Sequence, residues 1–519
     1  MRPPRTTAVH DLGRRVAIGC AGLLCLAALA GLPAPQTAVA ASGAASSVGV
    51  LALRGGDVAA TPELVDVSAH PGARDSLGYV VLNAWEFPRI AAIKAAWPGV
   101  KVLVYKDASA TVAYSSALAA DGSRHDNALL PAGVGYHWAV ANEPSWFLRD
   151  ASGRPIEWAD YRGVWPMDVG NPGYQRAWLS NVLSEVRANG WDGVMLDDTL
   201  SYLSHPTVGD AVATQIPDDA AMVRSMGSFL ATVGTGLKAA GYLAVPNVTL
   251  TWRTWRPVLT SWSPSVSGWL LEYFVKWGTT PAYPRMGGSD WASRLDIIDL
   301  AQSLDTFVLP VTYGSAGDAG LQTYQRASWL LAWDGRAGAS IFVPSESTAS
   351  HVRPAARWAL GAPLAARYPV NGGAVWRRDY SGGTVLVNPS GTSQSLALGA
   401  SYRDADGLLV DRVTLPPQSA ELLQVVAGQP DSTSPTGPAA PPVSPAVPAP
   451  TAARAGTVRV GTSGAVRMGK AVKIGRTTGM ARLRLKKADS RIGCGPAGVR
   501  CYLFAQSATG AVPSRDARR

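Results

Sequence analysis

The run Gly190-Trp191-Asp192-Gly193-Val194-Met195-Leu196-Asp197-Asp198 carries an apolar segment, Val194 to Leu196, straight into two adjacent carboxylates. Successive side chains of a strand alternate faces, so Asp197 and Asp198 are not expected to point the same way. A carboxylate placed where a buried parallel strand surfaces is positioned to act as a nucleophile or acid in a barrel enzyme. The structural alternative has one Asp capping the following helix and the other paired with a base. The surrounding sequence decides between the two.

Short β-type runs alternate with helical patterns on both sides of this segment. The expected strands are Tyr79–Asn83, Lys101–Tyr105, Val134–Trp138, Gly193–Leu196, Tyr242–Pro246, Trp269–Phe274, Thr306–Val311 and Ser340–Val343. The expected helices between them are Pro88–Trp97, Tyr174–Asn189, Asp219–Ala239, Asp290–Ser303, Leu321–Asp334 and His351–Leu360. Strand–helix alternation at this spacing implies a parallel sheet. Eight units over this length imply an α/β fold, a (β/α)8 TIM barrel. A doubly wound open sheet would show a Gly-rich phosphate loop after its first strand, and none follows Tyr79–Asn83. Five short alternating segments come next: Ala374–Tyr380, Gly383–Asn388, Leu396–Leu398, Leu408–Val413 and Glu421–Val425. They read as a small antiparallel β-domain.

The chain divides accordingly into a signal segment over 1–40, the barrel over 41–365 and the β-domain over 366–428. A Pro-rich linker over 429–453 follows, then a basic tail or partial β-module over 454–519. In the signal segment Arg2, Arg5, Arg14 and Arg15 precede an apolar run from Val16 to Leu32, and Ala38-Val39-Ala40 suits cleavage. The expectation is a secreted protein, exported by the general or the twin-arginine route, with no transmembrane span once the signal is removed. The formal charge of +10 belongs to the ends: residues 1–40 carry +3, residues 451–519 carry +13, and the intervening body is −6. A basic body that seeks nucleic acid is therefore excluded, and the tail is read as a surface-attachment element or as poorly structured chain. Of the four cysteines, Cys20 and Cys25 leave with the signal. Cys494 and Cys501 remain as a candidate disulfide in an oxidising compartment.

In a (β/α)8 barrel function gathers at the C-terminal ends of the strands. Those positions hold Trp85 and Glu86, Lys106 and Asp107, His137, Asp197 and Asp198, Asn247, Glu272, Tyr313 and Glu346. Gly268-Trp269-Leu270-Leu271-Glu272-Tyr273-Phe274 sets a lone carboxylate in an apolar and aromatic strand. Burial raises a carboxyl pKa, which a general acid needs, although a structural pair with Lys276 or Arg253 would also explain the residue. Two carboxylates across a barrel mouth with aromatic walls suit glycoside hydrolysis. All eighteen tryptophans lie between Trp85 and Trp376, and most of them belong to the core. Asp192 precedes its strand and is expected to fix the turn. No cofactor and no metal are expected, because the six histidines of the whole chain show no paired ligand spacing. A G-x-S-x-G elbow is also lacking.

The stretches Asn83-Ala84-Trp85-Glu86, Lys101–Asp107 and Asp192–Asp198 resemble the TIM-barrel glycosyl hydrolases grouped as hypothetical glycosyl hydrolase family 15. Met167-Asp168-Val169-Gly170-Asn171-Pro172-Gly173-Tyr174 adds to the likeness, as does Tyr380–Pro389. More distantly the chain is similar to α-polygalactosaminidase barrels, and the likeness spans roughly residues 75–425. The resemblance implies that Asp197 is a fourth-strand nucleophile and Glu272 a sixth-strand acid/base. The resulting expectation is a secreted glycosidase that acts on a polysaccharide or oligosaccharide by retention. Trp85, Lys106, Asp198, Asn247 and Tyr313 would line the sugar subsite. Retention requires carboxyls about 5–5.5 Å apart, whereas about 6.5–9.5 Å implies inversion. The competing reading is a non-catalytic polysaccharide-binding envelope protein on the same scaffold.

Overall fold

A computed structural model describes residues 47–52, 77–279, 283–346, 349–358 and 360–426, with short strands at 492–494 and 501–503. Eight parallel strands close into a barrel: β1 (Ser47–Ala52), β2 (Leu77–Leu82), β3 (Lys101–Asp107), β4 (Gly193–Leu200), β5 (Leu243–Thr249), β6 (Gly268–Leu271), β7 (Phe307–Gly314) and β8 (Ala339–Pro344). They neighbour one another in chain order, and β1 pairs β8 to complete the ring. Helices α1 (Ile90–Ala96), α2 (Tyr136–Asn142), α3 (Pro172–Asn189), α4 (Asp219–Ala239), α5 (Trp255–Trp262), α6 (Gly288–Ser303) and α7 (Ala319–Ala332) complete the layer outside. The expected (β/α)8 barrel is the observed one.

Two strand assignments differ from expectation, and their errors cancel in the count. Val134–Trp138 is not a strand, because Tyr136 opens α2. The Asp126 carboxylate accepts from the His137 and Trp138 amides, capping that helix from ten or more residues away. Gly135 admits the cap, since a Cβ there would lie 2.1 Å from Asp126 Oδ2. The true first strand is Ser47–Ala52, where Gly49 lets the Ile341 side chain approach within 2.8 Å of where a Cβ would sit. Asp197 therefore stays on the fourth strand, and Glu272 still follows the sixth. The expected helix His351–Leu360 contracts to one 3-10 turn, Pro354–Arg357.

The barrel is followed by a six-stranded antiparallel sheet: β9 (Tyr368–Val370), β10 (Val375–Tyr380), β11 (Gly383–Asn388), β12 (Gln394–Arg403), β13 (Leu409–Leu415) and β14 (Ser419–Val425), in the order β9-β10-β11-β14-β12-β13. The sheet packs on α7 through β11 and β14. This explains why α7 is buried almost all round, from Leu321 to Ala332. Arg378 of β10 donates to the Leu330 and Leu331 carbonyls at 3.0 and 3.2 Å and to that of Trp333, satisfying the open C-terminal end of α7. Residues 1–40 and the linker lie outside the described residues. So does the tail, apart from two short strands in which Cys494 stands opposite Cys501. Among the described residues no helix is long and apolar enough to cross a membrane.

Candidate active site

The barrel interior is filled by Leu51, Tyr79, Val81, Leu103, Met195, Val245, Leu270, Leu309, Val311, Ala339 and Ile341. Every second residue of a strand shares a face. Two positions further toward the C-terminal ends, the same face carries Tyr105 after Leu103, Asp197 after Met195 and Asn247 after Val245. Glu272 follows Leu270 in the same way, and Tyr313 follows Val311. The site is thus the last layer of the barrel core, with polar residues replacing apolar ones.

Asn247 ties this layer together. Its Nδ2 donates to Asp197 Oδ1 at 2.8 Å and to Glu272 Oε2 at 3.1 Å. Because one nitrogen reaches both, the two accepting oxygens cannot lie more than about 5.9 Å apart, the length of the two bonds end to end. The Tyr313 hydroxyl donates to Glu272 Oε1, and the Tyr105 hydroxyl donates to Asp197. Neither carboxylate takes these bonds from a base. Burial, followed by the charges of Asp198 and Glu272, pushes Asp197 up to about 7 against the pull of its two donors. Burial also raises Glu272, with the Asp198 charge in support and the Tyr313 and Asn247 bonds opposing. Asp107 is raised well above the carboxylate range by burial and by the charges of Asp198 and Asp197, although Ser109 and Ala110 donate to its Oδ1. The result is an acidic pocket floor in which burial and the mutual repulsion of close carboxyls both favour protonation.

Strict alternation fails at Asp198. Its φ is +48°, in the left-handed region, and the pairing of β4 with β5 shifts register between Leu196 and Thr199. The kink brings Asp198 to the same mouth as Asp197, so both carboxylates of the pair face the site. Tyr273, directly after Glu272, is left-handed too at φ +56°. Left-handed backbone is costly for a residue with a side chain, and Asp198 and Tyr273 each directly follow one of the two bridged carboxylates. Asp198 meets His205, whose Nε2 lies 3.1 Å from both carboxylate oxygens. Tyr161 stands edge-on to His205, with ring centroids 5.4 Å apart. Its hydroxyl is raised by burial and by the charges of Asp198 and Asp197, with Asp160 and Glu272 behind them.

Lys106 is a correction. Its parity sets it with Val102 and Val104 on the outer face, where it is fully buried. There it pairs with Glu185 of α3 at 2.6 Å and donates to the Leu130 carbonyl at 2.5 Å. It does not reach the mouth. Trp85 lies half-buried on the 3-10 turn Ala84–Arg89 that follows β2, apart from the hydrogen-bonded group. Glu86 closes a capping box with Asn83 and pairs with Arg89 at 3.1 Å. Asp192 accepts from the Val102 amide and pairs with Lys94 at 2.9 Å, which fixes the turn into β4. Sequence reasoning passed over Tyr105, Tyr161, His205 and Tyr273. Only Tyr105 carried a signal, its parity with Leu103. Among the described residues no three His, Cys, Asp or Glu side chains are arranged to hold a metal ion.

The family model of hypothetical glycosyl hydrolase family 15 matches residues 94–384. No curated protein matches the chain in sequence. Among solved structures, that of Aspergillus fumigatus Ega3 in complex with galactosamine is 12% identical, with 60% of this chain and 96% of that one covered and a TM-score of 0.32. A noncanonic maltogenic alpha-amylase from Thermotoga neapolitana is 11% identical, with 73% and 99% covered and a TM-score of 0.40. The alpha-amylase of Geobacillus thermoleovorans, complexed with acarbose, is 9% identical, with 74% and 99% covered and a TM-score of 0.39.

Proposed function

The chain belongs to hypothetical glycosyl hydrolase family 15 and is a glycoside hydrolase, and from that premise we propose a retaining mechanism in which Asp197 is the nucleophile and Glu272 the general acid/base. The observation that carries the reading is the single Asn247 amide donating to both carboxylates. Oxygens held within about 5.9 Å of each other suit direct attack on the sugar, because they fall short of the about 6.5–9.5 Å that admits an intervening water. In the first step Asp197 attacks the anomeric carbon while Glu272 transfers its proton to the departing glycosidic oxygen. A glycosyl ester on Asp197 and a free alcohol result. In the second step Glu272, now ionised, takes a proton from water. The water oxygen attacks the anomeric carbon and Asp197 leaves as carboxylate. Ester formation removes the Asp197 charge and so lowers the pKa of Glu272 between its acid and base turns.

Asp198, Asn247, Tyr313 and Trp85 make up the proposed sugar subsite. The substrate is an oligosaccharide or polysaccharide. We place the enzyme outside the cell on the strength of the Arg-flanked apolar run and Ala38-Val39-Ala40, with the basic tail as a surface attachment.

The test is a product screen of the purified protein on microbial exopolysaccharides and α-linked glycans, with proton NMR of the first anomer released. Retention of configuration is expected. Glu272→Gln should lower turnover roughly 10²–10⁴-fold, with recovery on substrates whose leaving group needs no proton. Inversion overturns the assigned roles. A wild-type protein that binds glycans and never cleaves them, just as Asp197→Asn and Glu272→Gln do, overturns the enzyme mechanism itself.

A further inference from the structure

The kink at Asp198 serves a partner that the reaction above does not use. Two loops meet over it: Ala159 N donates to the Pro206 carbonyl at 2.8 Å, Val208 N donates to the Glu157 carbonyl at 3.0 Å, and Trp158 bridges Thr207. This pairing drives His205 down onto Asp198, between the Trp158 ring at 5.0 Å and the Tyr161 ring at 5.4 Å. The His205 side chain is only 4% exposed. With Nε2 shared between both Asp198 oxygens at 3.1 Å, that nitrogen carries a proton. Nδ1 is buried and has no hydrogen-bond partner among the described residues. The proton that comes and goes therefore sits on Nδ1.

We propose that Asp198 and His205 form a positioning pair whose charge state sets the proton affinity of Asp197 and Glu272. The inference rests on reading those two carboxyls as the reacting pair. With the imidazole protonated the pair is neutral, and with it unprotonated a full negative charge faces the floor of the pocket. The groups facing His205 are Asp198 and Asp197 of β4, and Asp160 and Tyr161 of the overlying loop. Those facing Asp198 are Asp107 and Tyr105 of β3, Asp197 of its own strand, Glu272 beyond β6, and Tyr161. Burial alone would pull His205 below the ordinary histidine value. The charge and hydrogen bond of Asp198, with Asp197 and Asp160 behind them, reverse the sign and leave it raised. As pH climbs through that raised value, the pair turns negative and holds the neighbouring acid protonated further into the alkaline range.

The experiment is an NMR titration of the full chain, following carboxyl carbons of labelled Asp and Glu and the imidazole nitrogens of His205. Wild type, His205→Gln and Asp198→Asn are compared; the glutamine keeps a donor for Asp198. His205→Gln should move the carboxyl titrations of Asp197 and Glu272 up by about one pH unit, by deleting a nearby positive charge. Asp198→Asn should return His205 to or below the ordinary histidine value; loss of the carboxylate and loss of the imidazole's charge then offset one another, so the Asp197 and Glu272 titrations should stay at or slightly below their wild-type positions. A rise confined to His205→Gln is what a merely structural role would not give, since loosening the loops acts alike in both variants. A rise in both variants, or in neither, overturns the proposal. Should Asp198→Asn fail to fold, His205→Gln against wild type decides alone, and an unmoved Asp197 overturns it. No glycan enters these measurements, so a failure to hydrolyse counts against the enzyme mechanism and leaves this result standing.

Discussion

Replacing Asp197 with Asn should make the protein more stable, and the gain should depend on pH. Asp197 is pushed up to about 7, chiefly by burial and then by the charges of Asp198 and Glu272. In the unfolded chain it titrates near the ordinary aspartate value, about 3.9. The native state therefore binds this proton more tightly, and the stabilisation it brings is complete below about pH 4. It is lost progressively as pH rises through about 7. A shift of about three units at about 1.4 kcal/mol each sets a ceiling of roughly 4 kcal/mol. Sharing of the proton with coupled neighbours reduces this to about 2–4 kcal/mol. The amide keeps the shape of the carboxyl and can still accept from Tyr105. With an unfolding entropy of about 2.1 cal/mol/K per residue over roughly 350 folded residues, the rise in Tm at pH 8 is about 3–5 °C. Scanning calorimetry of both proteins from pH 4 to pH 8 measures it. The two melting curves should converge at the acid end. A gap of constant size across that range would refute the argument, because it would show that packing and not ionisation separates the proteins.

Three further outcomes follow from individual contacts. Asn247→Ala removes a donor from each bridged carboxylate at about 1.5–3 kcal/mol per bond, so the acidic limb of the pH–rate profile should move up by one to two pH units; an unmoved limb means that Asn247 does not hold the charged forms. Lys106→Met leaves Glu185 without its buried partner and should destabilise the fold by about 3–5 kcal/mol in urea unfolding, most of it recovered in Lys106→Met/Glu185→Leu. Gly193→Ala would set a Cβ 2.4 Å from the Leu243 carbonyl oxygen, a backbone atom that cannot step aside, and should cost about 3 kcal/mol. Gly190→Ala meets open space at φ +76° and should cost about 1–2 kcal/mol. Equal losses at the two glycines would rule out the steric account.

The architecture was legible because parallel barrel strands are continuous apolar runs separated by helical periods, and both signals are local. The positions of Asp197 and Glu272 in the barrel were legible for the same reason, as carboxylates at the ends of such runs. Lys106 was misread because its role depends on parity: one step along β3 from Tyr105 turns a side chain from the mouth into the layer beneath α3. At Asp198, expected in the subsite, it is the alternation rule that fails. Parity sends it outward, and a left-handed residue returns it. That kink is held by the pairing of two distant loops, which no local pattern in β4 encodes. His205 carries no periodic signal at all and becomes visible only once the loops over the barrel are closed. The false strand at Val134–Trp138 has the same origin, because its helix is capped by Asp126, which lies outside the segment.

The identity of residue 247 explains why the layer has the chemistry it has. A Lys or Arg placed between Asp197 and Glu272 would satisfy both and hold both ionised, leaving no proton for a leaving group. An apolar side chain there would leave two buried carboxyls without donors. A neutral amide does neither. It orients the two carboxyls with one nitrogen while their mutual repulsion, reinforced by Asp198, keeps a proton in the group at neutral pH. Lys106, the residue after Tyr105, is turned to the opposite face of β3 and committed to Glu185, so its charge is spent away from the floor. The strand alternation that fills the barrel with Leu103, Met195, Val245 and Leu270 thus also separates cation from acid one layer higher. The two bridged carboxyls keep a proton because the fold's own periodicity turns Lys106 away from them, while the base that does reach the mouth, His205, is engaged by Asp198.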